Sequence, residues 1–314
     1  MAQSLWSADG SSLCSPKLGK TMYEQAAPDF IYRQFCQVED AFGKGNGDAF
    51  QFTKTLRIDT RGGTLVETTT MPSNRIKFVK DSITVTEYGN GVQYTEKLET
   101  LSTFDMRGQY GKGLTQDYRD VVDRDIYGKF TSAKFKAVCT NTATTIFTTN
   151  GTATITATAN PSDKNIRDIV NYLKKKHTPG VGGGLDYLGV LSVEAKGGLF
   201  TYLQAINQYT TPSKAMNREI GKYYNVRFSE DANAANNAIG SSTAFGEGFI
   251  FGDEAVLEAV ATPEELRFEQ TDLGRSKKLA WFGIFGWKKM WDLANDDSNS
   301  TGNGIERIVH ITSA

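Results

Sequence analysis

Between Gly47 and Cys139 the sequence passes from the two-residue period of a strand to the 3.6-residue period of a helix, and few folds accommodate both parts in that order. Phe50, Phe52, Leu56 and Ile58 alternate with Gln51, Thr53, Thr55, Arg57 and Asp59, which predicts a strand with one apolar face broken only by Lys54. Arg61-Gly62-Gly63-Thr64 supplies residues tolerant of positive φ for a turn, and the Thr-rich stretch Leu65–Thr70 is expected to return as the second strand. A two-stranded ribbon is marginal in water on its own. With no further strand adjacent in sequence, its apolar face is expected to lie against something else, a second copy of the chain being one candidate.

A pair of strands is predicted at Ile83–Tyr88 and Val92–Thr95, after which the period changes. Leu114, Tyr118, Val121, Val122, Ile126, Phe130 and Ala133 fall at helical spacing, with Asp117, Arg119, Asp120, Asp123, Arg124 and Lys129 on the opposite, solvated face. From about Tyr110 to Val138 such a helix runs on the order of 40 Å at about 1.5 Å per residue. It is a spine for whatever packs around it.

Composition narrows the function classes. Lys plus Arg number 35 against 36 for Asp plus Glu, without the basic excess of a chain that seeks nucleic acid by itself. Cys14, Cys36 and Cys139 are odd in number and far apart, which argues against a disulfide framework. The first ten residues lack a basic segment followed by an apolar one and read as no signal peptide. The longest aromatic-apolar run, Leu279 to Trp287, is far shorter than the ~20 residues that cross a bilayer.

Further along, Thr145–Thr149 and Thr152–Thr156 flank Asn150-Gly151, a strong hairpin signal. Ser162 is placed to cap a helix carrying Ile166, Ile169, Val170 and Leu173 on one face and Lys174-Lys175-Lys176 at its end. Gly180, Gly182, Gly183 and Gly184 then form a flexible loop before a buried strand at Leu185–Leu191. Arg218–Phe228 alternates as one strand, Phe249-Ile250-Phe251 opens a new core segment, and Ile305–Ile311 is a last strand.

No catalytic chemistry is legible. His177 and His310 have no Cys, His or paired carboxylates at metal-ligand spacing, so neither metal nor cofactor is expected. The Gly180–Gly184 run follows a helix, where a phosphate loop follows a strand and ends in Gly-Lys-Ser/Thr. The carboxylates at 117, 120, 123 and 125 interleave with arginines as a solvated helix face does, and the aromatics at 281, 282, 285, 287 and 291 suit packing better than base stacking.

The order of N-terminal arm, ribbon, long helix, mixed α/β region and final strand resembles that of the major capsid proteins of tailed double-stranded DNA bacteriophages, which have the α+β Hong Kong 97-like fold. Ile83–Asn90 with Val92–Glu99, Ile166–Leu173 with Pro179–Gly184, and Arg218–Phe228 are similar to segments of the coat proteins of N-four-like phages, while Ser192-Val193 stands where that family commonly has His-Pro. The resemblance implies an N-terminal arm at 1–46, an E-loop ribbon at 47–82, a peripheral domain with spine helix at 83–160, an axial domain at 161–245, and a C-terminal part at 246–314 returning to both, its last strand joining the peripheral domain. It implies a structural protein without enzymatic activity, assembled in the host bacterial cytoplasm as hexamers and pentamers into the icosahedral head of the virion. Expected partners are other copies of the chain, a portal, scaffolding or decoration proteins, and packaged double-stranded DNA held non-specifically; no membrane is involved. Phe50, Phe52, Leu56, Arg57, Ile58, Arg61, Gly62 and Gly63 are then expected to contact a neighbouring subunit. The rival expectation is the shell protein of an encapsulin-like cellular nanocompartment, which shares the fold and encloses an enzyme.

Overall fold

The structure is a computed structural model that describes residues 31–39, 47–56, 58, 62–68, 70, 71, 73, 76–141, 144–152, 155, 157–197, 199, 222–231, 246–292 and 306–313. Three sheets and one long helix organise it. Strands β1 (Gln37–Glu39), β11 (Val256–Thr271), β12 (Ser276–Lys289) and β4 (Thr86–Thr95) form a four-stranded sheet in that order. A seven-stranded sheet runs β6 (Thr144–Thr148), β5 (Phe135–Asn141), β13 (Ile308–Ser313), β10 (Gly246–Phe251), β7 (Tyr187–Ser192), β9 (Val226–Asp231) and β8 (Lys222–Tyr223). The third sheet is the ribbon alone, β2 (Ala49–Thr55) paired with β3 (Phe78–Thr84).

Three helices are α1 (Glu96–Leu101), α2 (Met106–Thr131) and α3 (Asp163–Lys175), and a further helical stretch lies at 193–197. Asp105 caps α2 by accepting from the Gly108 amide at 3.1 Å, and Ser162 and Asn165 close a reciprocal capping box on α3 as expected. The spine helix α2 ends seven residues earlier than its sequence period implies. Ala133 and Ala137 continue the helical spacing, yet alternate burial from Phe135 onward makes 135–141 a strand beside β13.

Through α2 the two larger sheets share one core. Tyr118 packs edge-on against Trp281 of β12 with ring centres 5.3 Å apart, and one residue before the helix end Phe130 meets Phe251 of β10 at 4.9 Å. Helix α3 covers the other face of the seven-stranded sheet with Ile166, Ile169, Val170 and Leu173, the residues expected to do so. Trp281, Phe285 and Trp287 are buried at every second position of β12, so this cluster is core.

Several expectations are corrected. The partner of the first ribbon strand is Phe78–Thr84, while Leu65–Thr68 is no strand. Ile83–Tyr88 and Val92–Thr95 belong to two consecutive strands, β4 running through Gly89 and Gly91 because β12 passes too close for side chains there; a Cβ on Gly89 would stand 2.9 Å from the Trp281 carbonyl oxygen. The hairpin near Asn150 lies before it, between β5 and β6; of the expected return strand, Thr152 and Ile155 are in no strand and the other residues fall outside the described ones. The described part of Arg218–Phe228 is itself a tight hairpin, with Tyr224 and Asn225 both at positive φ between β8 and β9. The last strand sits between β5 and β10 in the seven-stranded sheet. That sheet joins strands from both sides of residue 160.

The described part of the N-terminal arm is docked on the core. Tyr32 is buried among Tyr127, Phe130 and Phe249, its hydroxyl donates to Asp231 at 2.7 Å, and β1 runs parallel to β11.

Candidate assembly surfaces

The ribbon begins as a packed element and ends as a bare one. In the β2–β3 register Phe50 faces Ile83, Phe52 faces Asp81 and Lys54 faces Val79, so Phe50, Phe52, Lys54, Leu56, Val79, Asp81 and Ile83 share one face. Its base lies on the four-stranded sheet, where Ile83 packs with Leu257 and Ala259, flanked by Phe50, Phe52 and Met290. Gly286 makes this crossing possible, because a Cβ there would stand 2.6 Å from the Thr84 carbonyl oxygen and 2.8 Å from Ile83 Cγ2.

Lys54, the apparent break in the apolar pattern, belongs to that face and is buried. Its Nζ donates to Asp81 Oδ2 at 3.0 Å and to the Met290 carbonyl at 2.7 Å, and lies 5.4 Å from the Phe52 ring centre and 5.6 Å from that of Trp291. From β12, Lys288 reaches back to Asp81 Oδ1 and, at 2.9 Å, to the Ser82 carbonyl. Burial alone would raise the Asp81 carboxyl, yet hydrogen bonds from Lys288, Lys54 and the Ser82 amide outweigh it and hold the group below the ordinary aspartate range.

Beyond the base the apolar side chains lose their cover. Ile58, Leu65, Val66, Met71, Ile76 and Phe78 are all exposed, Met71 at 72% and Phe78 at 65%. Among the residues singled out for intersubunit contact, Phe50, Phe52 and Leu56 are therefore placed against the chain's own body, Ile58 is exposed, and Gly62 and Gly63 lie in the exposed stretch. Arg57 and Arg61 fall outside the described residues.

A second bare apolar group lies along the β11–β12 hairpin, which the sequence reading missed. Leu266 and Phe268 are exposed on β11, and Leu273 is fully exposed at the turn, where Asp272, Leu273 and Gly274 all have positive φ. Pro263 lacks the amide a regular ladder needs, and β11 is irregular between Thr262 and Glu265.

The glycine loop has a defined path. His177, at φ 57°, ends α3, and the Thr178 amide returns to the Leu173 carbonyl at 3.1 Å. Gly182 and Gly183 take φ 63° and 72°, the Val181 amide bonds the Asp186 carbonyl at 2.8 Å, and the Asp253 amide reaches Pro179 at 3.2 Å. A Cβ on Gly180 would stand 2.7 Å from the Asp186 carbonyl oxygen. Gly184 closes the turn through its amide to Val181 at 3.2 Å.

The buried titratable groups are spent on holding elements together. Asp123, expected on the solvated face of α2, turns inward and accepts the Ile31 and Tyr32 amides at 2.9 and 2.8 Å. Burial raises its carboxyl against those two bonds. His310 joins Glu247 through Nε2 and Lys136 through Nδ1 at 3.1 Å, while Tyr127 of α2 donates to the other Glu247 oxygen. Burial holds the imidazole below its usual range against the pull of Glu247, with Lys136 adding to the depression. Lys289 pairs with the buried Glu306 at 3.2 Å. Cys139 is buried and its thiol is pushed up to about 12. Among the described residues no group of three or more His, Cys, Asp or Glu is arranged to hold a metal, and no helix is long and apolar enough to cross a membrane.

No protein-family model and no curated protein matches the sequence. Solved structures do. The capsid subunit of cyanophage Pam1 superposes with a TM-score of 0.72 at 14% identity over 97% of this chain and 98% of that one. The capsid of Ralstonia phage GP4 matches at 0.68 and 14% identity over 95% and 94%, and the head of Helicobacter pylori bacteriophage KHP40 at 0.68 and 12% over 96% and 96%.

The chain has the Hong Kong 97-like capsid fold. In this capsid fold the α+β class expected from the sequence holds, and the ribbon, the spine helix and the two larger sheets are its principal parts.

Proposed function

We propose that this chain is the major capsid protein of a tailed bacteriophage, self-assembling as hexamers and pentamers into the icosahedral head that encloses double-stranded DNA. The observation that carries the reading is the ribbon, whose base is packed and whose outer part carries exposed Ile58, Leu65, Val66, Met71, Ile76 and Phe78 on a chain that matches phage capsid subunits along almost its whole length. So many exposed apolar side chains within one segment belong against another protein. A shell supplies that protein many times over through repeated heterologous contacts between identical copies.

In this reading the protein is structural and performs no catalysis, resides in the virion, and meets a portal, scaffolding or decoration proteins, and DNA on its inner face. The outer ribbon with Ile58, Gly62 and Gly63 is the intersubunit arm, and Arg57 and Arg61 act with it. The glycines at 180, 182, 183 and 184 ease the small backbone differences between hexamer and pentamer positions. Deleting Asp59 to Leu65 should leave a soluble subunit with unchanged circular dichroism and abolish the shells expected of the intact chain in electron micrographs. Shells of normal yield from the deletion variant would overturn the assignment of the arm.

A further inference from the structure

We infer that Lys54 is a positioning residue that fixes the direction in which the ribbon leaves the subunit, an inference that rests on the assembly reading only for its purpose. The neighbours of Lys54 on its face of the ribbon are Phe52 and Leu56, and the face lies over an apolar patch of the four-stranded sheet. An apolar side chain would bury there without the desolvation penalty of an ammonium, and Asp81 would keep Lys288 as its partner. What an apolar side chain lacks is direction.

The apolar contacts of Phe50, Phe52 and Ile83 hold the base of the ribbon to the sheet but tolerate rocking, because burial is indifferent to small rotations. The polar contacts are not indifferent, since hydrogen bonds weaken steeply as donor and acceptor lose alignment. Three of them tie ribbon to body from two lysines on opposite sides of the contact: Lys54 of the ribbon to the Met290 carbonyl, and Lys288 of β12 to Asp81 and the Ser82 carbonyl. The Lys54–Asp81 pair, at 3.0 Å, braces the two ribbon strands across the diagonal between these points. Together they form a frame around the place where Gly286 lets the ribbon cross β12. Because Lys54 is the fully buried member, solvent and salt loosen its bonds least.

The test uses the full chain as an unassembled subunit, with nitroxide-bearing unnatural residues replacing the exposed Glu67 on the ribbon and Glu87 on β4. Pulsed dipolar spectroscopy should give a narrow distance distribution for the parent protein. Lys54→Met, in which Asp81 keeps Lys288, should at least double its width with at most a small fall in the melting midpoint. Phe52→Ala should do the reverse, lowering the midpoint with little broadening. Lys288→Met, at a partly exposed site, should also broaden the distribution and serves if Lys54→Met does not fold. Unchanged widths in both lysine variants, or equal broadening in Phe52→Ala, would overturn the inference. The distance is read before assembly, so a parent chain that formed no shells would sink the assembly reading and leave this result standing.

Discussion

Replacing Gly286 with Ala should destabilise this subunit at the crossing of ribbon and sheet. The added Cβ would lie 2.6 Å from the Thr84 carbonyl oxygen and 2.8 Å from Ile83 Cγ2, roughly 0.7–1 Å inside ordinary nonbonded contact. The first obstacle is backbone and the second a fully buried side chain, so neither can rotate away. Strand β3 would have to lift from β12, with a cost of about 1–3 kcal/mol typical of overpacking. A specific unfolding entropy of about 2.1 cal/mol/K per residue converts this, for a chain of this size, to a fall in melting midpoint of about 2–5 °C. Gly128→Ala is the matched control: it adds the same methyl inside α2, meets nothing within 4 Å, and should gain about 0.5–1 kcal/mol from helix propensity. Differential scanning calorimetry of the two variants decides the matter. If Gly286→Ala melts with or above the parent while Gly128→Ala rises, the crossing of ribbon over sheet is not tight and the argument for a fixed ribbon base fails.

Lys289→Met should strand the fully buried Glu306 carboxyl and cost about 3–5 kcal/mol, while Lys289→Met with Glu306→Gln should recover most of it, as read by chemical denaturation. Acid should loosen the ribbon base: Asp81 has a depressed folded-state pKa, so its contribution is complete above the ordinary aspartate value of about 3.9 and is lost as pH falls through the folded value. The stability gap between the parent and Asp81→Asn should accordingly be constant at neutral pH and close on acidification, and a gap that widens in acid would refute the sign. With a net charge of −1, the free subunit should bind duplex DNA weakly and lose that binding as salt rises, measured by fluorescence anisotropy.

The elements whose pattern and packing agree were legible in the sequence. Helix α3 carried its capping Ser162, its apolar stripe and its terminal lysines in plain order, and Phe249–Phe251 lay in a strand buried on both faces. The spine was legible along its length and blurred at its end, because Ala133 and Ala137 suit a helix and a strand equally. The partner of β2 was misplaced because the nearest Thr-rich segment looked more strand-like than Phe78–Thr84, whose inner face carries Asp81 and whose outer face carries exposed Phe78. Periodicity also assigned Asp123 to solvent and treated Lys54 as a flaw. Both are polar residues on apolar faces that answer to partners far away in sequence, 91 residues for the Asp123–Tyr32 bond and 236 for Lys54 and Met290. No local pattern records such partners.

The seven-stranded sheet holds in its interior a strand that follows every other element in the chain: β13 lies between β5 and β10, parallel to one and antiparallel to the other. During synthesis, therefore, the hairpin β5–β6 and the group β7–β10 emerge as two halves with open inner edges, and cannot unite until residues 308–313 have left the ribosome. Neighbouring ribosomes on one message carry many such chains at high local concentration, the setting in which polymerising proteins begin to associate too early. The seven-stranded body closes only when β13 is added, after the four-stranded sheet beneath the ribbon has been made. Pairing of β13 with β5 and β10 therefore sets the moment at which the two halves of the sheet unite.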